Sequence, residues 1–308
     1  MKKPLVFCLM GPTASGKTAL SLTLGQQLPI EIINVDSAQI YQGMDIGTGK
    51  PTLAERSQVP HHLIDFLDPG IAYSIAQFRK DAVQTIDAIV SRNKIPLLVG
   101  GSMLYFKALQ QGLTDLPASV PAIRAQLETL QQEEGLATLY QKLVTIDPLT
   151  ANRIAPTDPQ RILRALEVYQ LTGKALSHWF AQDSLIPSSY TFINIGLIPD
   201  VTPRVELHTR IAERFEKMLE EGLEDEVKKL IQRKLDPTLP AMRSVGYRQV
   251  YQYLLEGHSF EEMKEKAIAA TRQLAKRQLT WLRQWPKLNI LDLKDPQLFN
   301  KTLNLFTN

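Results

Sequence analysis

Apolar residues gather along this chain in short runs of strand length, separated by amphipathic stretches of helical period. The run "PLVFCLM" at residues 4–10 leads into a glycine-rich turn and then into "KTALSLTLGQQL", where the spacing becomes helical. A second run, "IEIINV" at 30–35, stops at Asp36. A third, "IPLLVGG" at 95–101, stops at Ser102 before the helical "MLYFKALQQG". Between them Ser74 precedes "IAQFRKDAVQTIDAIVSRN", in which Ile75, Phe78, Ala82, Ile86 and Ile89 recur at helical spacing, so Ser74 is the expected N-cap. Short strands alternating with amphipathic helices predict an α/β fold, a parallel sheet flanked by helices. Polar residues at the carboxyl ends of its strands are then site candidates.

The pattern changes after about residue 113. "TDLPASVPAIRAQLETLQQEEG" carries two prolines and then helical periodicity, with little strand signal before "YTFINIGLI" at 190–198. We therefore expect a core formed by residues 1–113 and 191–308, interrupted by a mostly helical insertion over 114–190. From Pro203 onward the chain reads as helical again, with Gly222 as a helix stop and Pro237 and Pro240 breaking the next segment. No internal repeat or low-complexity tract is visible.

Composition narrows the choice of function. The 308 residues are 44% apolar. They contain no tract of 18 uncharged apolar residues and no apolar leader, which predicts a soluble cytoplasmic protein with no membrane partner. The single cysteine, Cys8, lies in an apolar run and reads as a small core residue, so neither a disulfide framework nor a thiolate zinc site is available. His61, His62, His178, His208 and His258 show no metal-ligand spacing and read as structural or surface residues. A net charge of +3 does not announce a nucleic-acid partner. The charge is unevenly spread, however: "TRQLAKRQLTWLR" at 271–283 holds Arg272, Lys276, Arg277 and Arg283 without an acid. A solvated helix face and a nucleic-acid contact both fit that run.

"GPTASGKT" at 11–18 matches G-x-x-x-x-G-K-[ST] between a strand and a helix, the context of a genuine P-loop. The backbone N–H groups of Gly11, Pro12, Thr13, Ala14, Ser15 and Gly16 (proline excepted) would converge on phosphate oxygens. Lys17 would reach the charged end, and Thr18 could hold Mg²⁺. The loop does not say which phosphate compound it takes. Asp36, at a strand end on the same rim, could bind Mg²⁺, cap a helix or accept a proton. Ser102 could bond a phosphate ester oxygen or cap the helix at 103. In "TDPQRILRALEVYQLTG" Asp158 is the expected N-cap and Pro159 the first helical residue, so that Gln160, Arg161 and Arg164 project from the first turns. Arg204, Arg210 and Arg214 share one helical segment. In "RSVGYRQ", Arg243 and Arg248 flank Gly246 and Tyr247, a combination suited to phosphate contacts and base stacking.

Taken in order, "GPTASGKT", "VDSAQIYQGMDIGTGKP", "HHLID", "VGGSMLY", "DPQRILRALEVYQLTGK", "GYRQ" and "ATRQLAKRQLTWLR" resemble the tRNA dimethylallyltransferases, also called tRNA isopentenyltransferases. The resemblance spans about residues 5–285, and the "DSAQIYQGMDIGTGKP" block is far more specific than the P-loop. It implies a P-loop NTPase-like core that binds dimethylallyl diphosphate with Mg²⁺ and moves no phosphoryl group. The dimethylallyl group would pass to N6 of the adenosine just 3′ of the anticodon. By resemblance Asp36 is the base for the amino proton, and Lys17 and the P-loop hold the diphosphate with one arginine of Arg204, Arg210 and Arg214, assigned here to Arg214. Ser102 stands where the family usually has threonine; its hydroxyl is expected on the bridging oxygen of the departing diphosphate.

The segments Asp36, Ser37, Ala38 and Gln39; Gln160, Arg161, Ile162, Leu163 and Arg164; and Arg243, Ser244, Val245, Gly246, Tyr247 and Arg248 are implied to contact tRNA, together with Ser102 and Arg124. The insertion would clamp the anticodon stem-loop. With one cysteine and about twenty residues after the last motif, the chain resembles the short bacterial form, without a Cys₂His₂ finger, and a monomer is expected. Two other readings use the same loop: prenylation of free adenine nucleotide, against which the insertion and basic helix argue, and a small-molecule kinase.

Overall fold

The computed structural model describes residues 3–112, 114, 116–181, 189–199 and 204–307, the side chain of Arg204 excepted. The described residues form, in order, β1 (Leu5–Met10), α1 (Lys17–Gly25), β2 (Ile30–Val35), α2 (Leu53–Gln58), β3 (His61–His62), α3 (Ile75–Ser91), β4 (Ile95–Gly100) and α4 (Met103–Gln111). There follow α5 (Pro121–Glu134), α6 (Leu136–Ile146), α7 (Pro148–Ala151), α8 (Pro159–Thr172) and α9 (Leu176–Ala181). The chain then returns through β5 (Thr191–Leu197), α10 (Arg204–Glu220), α11 (Leu223–Gln232), α12 (Tyr247–Glu256), α13 (Phe260–Arg283), β6 (Leu288–Leu291) and α14 (Leu298–Thr307). Two compact units result, one of Met1–Gln110 with Ser188–Asn308 and one of Gln111–Pro187.

In the larger unit six strands make one sheet in the order β3-β2-β4-β1-β5-β6, every pairing parallel. Its central strands are buried on both faces, as helical crossovers require. Along β1 the side chains alternate: Val6, Cys8 and Met10 pack on one face with Phe78, Ile86, Phe106 and Trp285, while Phe7 and Leu9 pack on the other with Leu20 and Leu24. Cys8 is fully buried, as its apolar run predicts. A third cluster joins Ile40, Tyr41 and Met44 to helices α10–α13 through Phe215, Val227, Tyr247 and Met263.

Local chemistry starts and stops these elements. Ser74 caps α3 in a capping box, its hydroxyl accepting from Gln77 N while the Gln77 side chain accepts from Ser74 N. Gly222, at φ 101°, turns the chain between α10 and α11. Two short edge strands, β3 and β6, were not among the expected strands, and β6 departs from the helical reading of the chain after Pro203. β3 has only two residues and β6 only four, none of them fully buried, so neither writes a long apolar run; both exist because they pair with β2 and β5. The smaller unit has its own core of Leu139, Leu143, Ile162, Leu163, Ala165 and Val168 among others. Asp158 caps α8 through Arg161 N, with Pro159 in the first turn. Among the described residues no helix is long and apolar enough to cross a membrane.

Candidate active site

Strands β2, β4 and β1 are neighbours, so their carboxyl ends deliver Asp36, Gly101–Ser102 and the P-loop to one rim. There a cleft of about 1440 Å³ opens. The loop after β1 turns through Ala14 at φ 62° and Gly16 at φ 77°, and Gly16 precedes α1 without a side-chain cap. The first N–H groups of α1 are therefore left to an outside acceptor, an anion-binding arrangement. Lys17 Nζ lies over this loop, donating to Pro12 O at 2.6 Å and to Ser15 Oγ at 3.3 Å. Burial is the main influence on its ammonium; Asp36 opposes it and Arg214 adds to it, and the net result lowers the pKa to about 7.

Arg214 comes from α10. Its Nη1 donates to Thr13 Oγ1 at 3.5 Å and its Nη2 to Thr48 O at 3.3 Å. Burial lowers its pKa and Asp36 counteracts that, but a guanidinium stays charged, so a fixed positive charge stands beside the cradle. The guanidinium lies against Gly49, at φ 58°, where a Cβ would collide with it. Of the three arginines considered for the diphosphate, Arg214 meets the P-loop and Arg210 lines the cleft. The side chain of Arg204 lies outside the described atoms.

Asp36 Oδ1 accepts from Ala38 N at 2.8 Å and Gln39 N at 3.3 Å, capping the turn that follows β2. Among the described residues both hydrogen bonds of its carboxylate use Oδ1, leaving Oδ2 without one in a residue that lines the cleft. Ser102 Oγ accepts from Ser37 N at 3.2 Å, rather than from its own helix, so its hydroxyl hydrogen remains available to a ligand. Ser37, Ala38 and Gln39 line the same cleft, and Gln39 Nε2 donates to Thr48 O and Gly49 O. Burial, with Tyr41 and Asp36 nearby, pushes the Tyr105 phenol far up, so it stands at the cleft as a neutral donor.

Several residues of this site were not singled out in the sequence, although Gln278 and Lys50 lie inside the matched blocks. Gln278, from α13, accepts from Thr13 N at 2.9 Å and donates to Gly101 O at 3.0 Å. Glu226, in the first turn of α11, accepts from Asp45 N and Ile46 N at 2.9 Å and from Gly47 N at 3.1 Å, and Tyr247 donates its hydroxyl to it. Lys50 is buried and donates to Tyr41 O, Asp45 Oδ1 and Asp65 Oδ1. Burial works to raise the Asp65 carboxyl, yet Lys50 and Arg56 outweigh it and hold it below its ordinary value. The "DIGTGKP" and "HHLID" blocks are thus joined by a buried lysine, and much of their specificity is architecture. The available signal was phase. Gln278 falls in step with Met263, Ala267, Ala275 and Leu282, and Glu226 with Leu223, Val227 and Leu230, each a polar residue on an apolar stripe.

Other expected contact residues divide by exposure. Arg243 and Arg248 are exposed, with Arg243, Ser244, Val245 and Gly246 lining the cleft. The ring of Tyr247 is fully buried against Gly47 and Leu223, so it does not offer a face for base stacking. In the smaller unit Gln160 and Arg161 are exposed, whereas Ile162 and Leu163 are core positions. Arg164 is half-buried and engaged with Glu167 and Pro117 O, and Arg124 pairs with Glu128. The side chains of Ile162 and Leu163 are therefore unavailable to a ligand, and Arg164 is held as an internal tie.

A family model described as IPP transferase matches residues 39–285. The chain is 53% identical to a tRNA dimethylallyltransferase of Bordetella avium, over 95% of this chain and 94% of that one. It is 49% identical to the enzyme of that name from Ralstonia pickettii, over 98% and 94%. Among solved structures it matches the full-length tRNA isopentenylpyrophosphate transferase of Bacillus halodurans with a TM-score of 0.73 and 36% identity, covering 99% of this chain and 96% of that one. A eukaryotic dimethylallyltransferase captured acting on tRNA matches with a TM-score of 0.81 and 28% identity, covering 99% and 77%. With a shared fold and a sequence match that runs nearly end to end, the chain belongs to the IPP transferase family.

Proposed function

We propose that this enzyme transfers the dimethylallyl group of dimethylallyl diphosphate to N6 of the adenosine just 3′ of the anticodon in tRNA. The observation that carries the reading is the composition of one rim: a phosphate cradle with two neighbouring cations, next to a carboxylate and a hydroxyl with hydrogen-bonding capacity to spare. In a phosphoryl transfer the loop would hold a donor whose phosphate leaves with the acceptor. In this reaction the diphosphate stays on the loop and the carbon group departs.

The allylic C–O bond breaks, and negative charge grows on the diphosphate. The N-terminus of α1, Lys17 and Arg214 are fixed where that charge develops and stabilise it. Ser102 donates its hydroxyl hydrogen to the bridging oxygen while Ser37 N holds its Oγ in place. The adenine amino group is a weak nucleophile, because its lone pair is delocalised into the ring. Asp36 Oδ2 accepts a proton from it as the C–N bond forms, an assistance worth ~10²–10⁴-fold. Tying Oδ1 to the 38–39 amides fixes the direction in which Oδ2 points.

The Thr18 hydroxyl and the Asp36 carboxylate line the cleft, and among the described residues no cluster of three or more His, Cys, Asp or Glu gathers as a metal cage. The Thr18 hydroxyl, a hard oxygen donor with room beside it for diphosphate oxygens and water, fits Mg²⁺, while Asp36 keeps its free oxygen for the proton. When bound it supplies charge neutralisation to the diphosphate. Reaching a stacked adenosine requires its extrusion, at a cost of a few kcal/mol, and grip on flanking nucleotides. Exposed Arg243 and Arg248 in the larger unit suit that grip, and exposed Gln160 and Arg161 suit a contact of the smaller unit with the anticodon stem-loop. On this reading the enzyme works as a monomer in the cytoplasm, where tRNA is found.

The test is incubation of the protein with Mg²⁺, dimethylallyl diphosphate and an unmodified anticodon stem-loop, followed by nucleoside mass spectrometry. The expected result is one isopentenyl group on the adenosine 3′ of the anticodon. Product from free AMP and none from RNA, or no product from either, would overturn the reading.

A further inference from the structure

Gln278 is not among the groups that meet substrate in the reading above, yet it joins two loops that do. It lies on α13, and only 8% of its surface is exposed. Its amide spans the gap between strands β1 and β4. Oε1 accepts from Thr13 N at 2.9 Å in the P-loop, and Nε2 donates to Gly101 O at 3.0 Å, the residue before Ser102. Residue 101 must be glycine for that approach, because a Cβ would collide with Nε2. One end must accept and the other donate, at a fixed separation. Among side chains of this length only an amide does both: a carboxylate cannot donate, an ammonium cannot accept, and a thioether does neither well. A buried amide with both ends satisfied is rigid, and one with an end removed leaves an unpaired backbone group behind.

We infer that Gln278 is a positioning residue for the transfer, a clamp that sets the P-loop and its diphosphate at a fixed offset from Ser102, and through Ser102 Oγ and Ser37 N from Asp36. The inference rests on the proposed reaction for its kinetic consequence. It makes a distinction that a merely packed residue would not. Because Thr13 N is bonded to Gln278, that N–H is not a phosphate donor, so losing the clamp removes no contact to the diphosphate. What is lost is the alignment of the leaving group with the groups around the nucleophile. Misplacement of about 1 Å costs on the order of 10²-fold in rate. The effect therefore falls on kcat and leaves KM for the donor nearly unchanged.

The experiment compares Gln278→Met, which keeps length and bulk without the amide, and Gln278→Glu, which keeps an acceptor for Thr13 N but cannot donate to Gly101 O. Four quantities are read on the full chain: kcat, KM for dimethylallyl diphosphate, affinity for inorganic diphosphate, and hydrogen exchange of the peptide containing Thr13. For Gln278→Met we expect kcat to fall about 10–100-fold, with KM and diphosphate affinity within about threefold of wild type and faster exchange at Thr13. For Gln278→Glu we expect slow exchange at Thr13, a reduced kcat, and a weakened diphosphate affinity, because a negative charge buried beside the loop repels the anion and is little screened by salt.

A Gln278→Met protein with wild-type kcat and wild-type exchange overturns the clamp, as does a loss lying wholly in KM. If that variant does not fold, Gln278→Glu decides: wild-type kcat in it overturns the inference. The exchange and diphosphate measurements need no transfer. If the wild-type protein modifies no RNA while Thr13 exchange still answers to Gln278 as stated, the functional reading fails and the clamp stands.

Discussion

Replacing Glu226 with glutamine changes one oxygen into an amide nitrogen, and the consequence can be worked from its four bonds. Oε2 accepts from Asp45 N and Ile46 N, and Oε1 from Gly47 N and the Tyr247 hydroxyl. If the new nitrogen faces residues 45–46, two buried N–H groups lose their acceptor. If it faces Gly47, the Tyr247 hydroxyl can turn to accept, and one N–H is orphaned. The second arrangement is the cheaper. One unsatisfied buried donor costs about 1–3 kcal/mol, and the two bonds remaining at Oε2 each lose the strength lent by a charged acceptor. A carboxylate in the first turn of α11 also forgoes ~0.3–1 kcal/mol of helix-dipole stabilisation when neutralised. Relief of its burial offsets part of this, giving a loss of about 2–4 kcal/mol.

The assay is urea unfolding of Glu226→Gln in a Trp179→Phe background, so that fluorescence comes from Trp281 and Trp285, both in the larger unit. A functional loss should accompany the destabilisation, because the loop that Glu226 holds presents Thr48 O and Gly49 O to Arg214 and Gln39. A change smaller than about 0.5 kcal/mol, the size of an ordinary surface substitution, would refute the argument that the three amides depend on this carboxylate.

Two further outcomes follow from the geometry. Asp36→Asn keeps an oxygen for Ala38 N and Gln39 N while removing the proton acceptor, so transfer should slow by about 10²–10⁴-fold with RNA affinity within about tenfold; wild-type turnover measured by nucleoside mass spectrometry would remove Asp36 from the mechanism. Lys17, lowered to about 7 by burial, is partly deprotonated in the free protein above that pH, whereas an anion on the loop restores its proton. Diphosphate binding should therefore take up a proton and weaken as pH rises from 7 toward the ordinary lysine value. Calorimetry of wild type and Lys17→Ala in buffers of different ionisation enthalpy isolates that proton, and identical uptake in the two would exclude Lys17 as its source. The same depression has a stability sign. The unfolded chain binds the proton up to the ordinary pKa and the folded chain only to about 7, so stability rises with pH between those values, and below 7 the buried charge is a full cost.

The fold was legible where apolar runs were long. β1, β2, β4 and β5 each wrote one because both faces of the central sheet are covered, and Ser74 and Asp158 marked their helices through short-range capping. β3 and β6 were not legible, since edge strands with few buried positions owe their existence to partners distant in sequence. At the site, the P-loop, Asp36 and Ser102 stood out because a strand end is a recognisable place for chemistry. Gln278 and Glu226 did not, since each acts on backbone groups more than 170 residues away and no local motif encodes that. Tyr247 misled for the converse reason: an aromatic between arginines reads as a surface reader of bases, but its hydroxyl had a buried carboxylate to satisfy.

The placement of β1 at the middle of the sheet has a consequence for how this chain comes into being on the ribosome. β1 pairs with β4 on one side and β5 on the other, and the whole smaller unit is encoded between those two strands. From the end of β4 at Gly100 to the start of β5 at Thr191 the ribosome must add about ninety residues, roughly 5–20 s of synthesis at ordinary rates. During that interval the β5-facing edge of β1 is unpaired beside fully apolar side chains, the kind of edge that seeds aggregation. The smaller unit has its own core and can fold while the chain waits. Slowing translation between codons 101 and 190 should therefore lower the soluble yield more than slowing it after β5, even though the mature protein is identical.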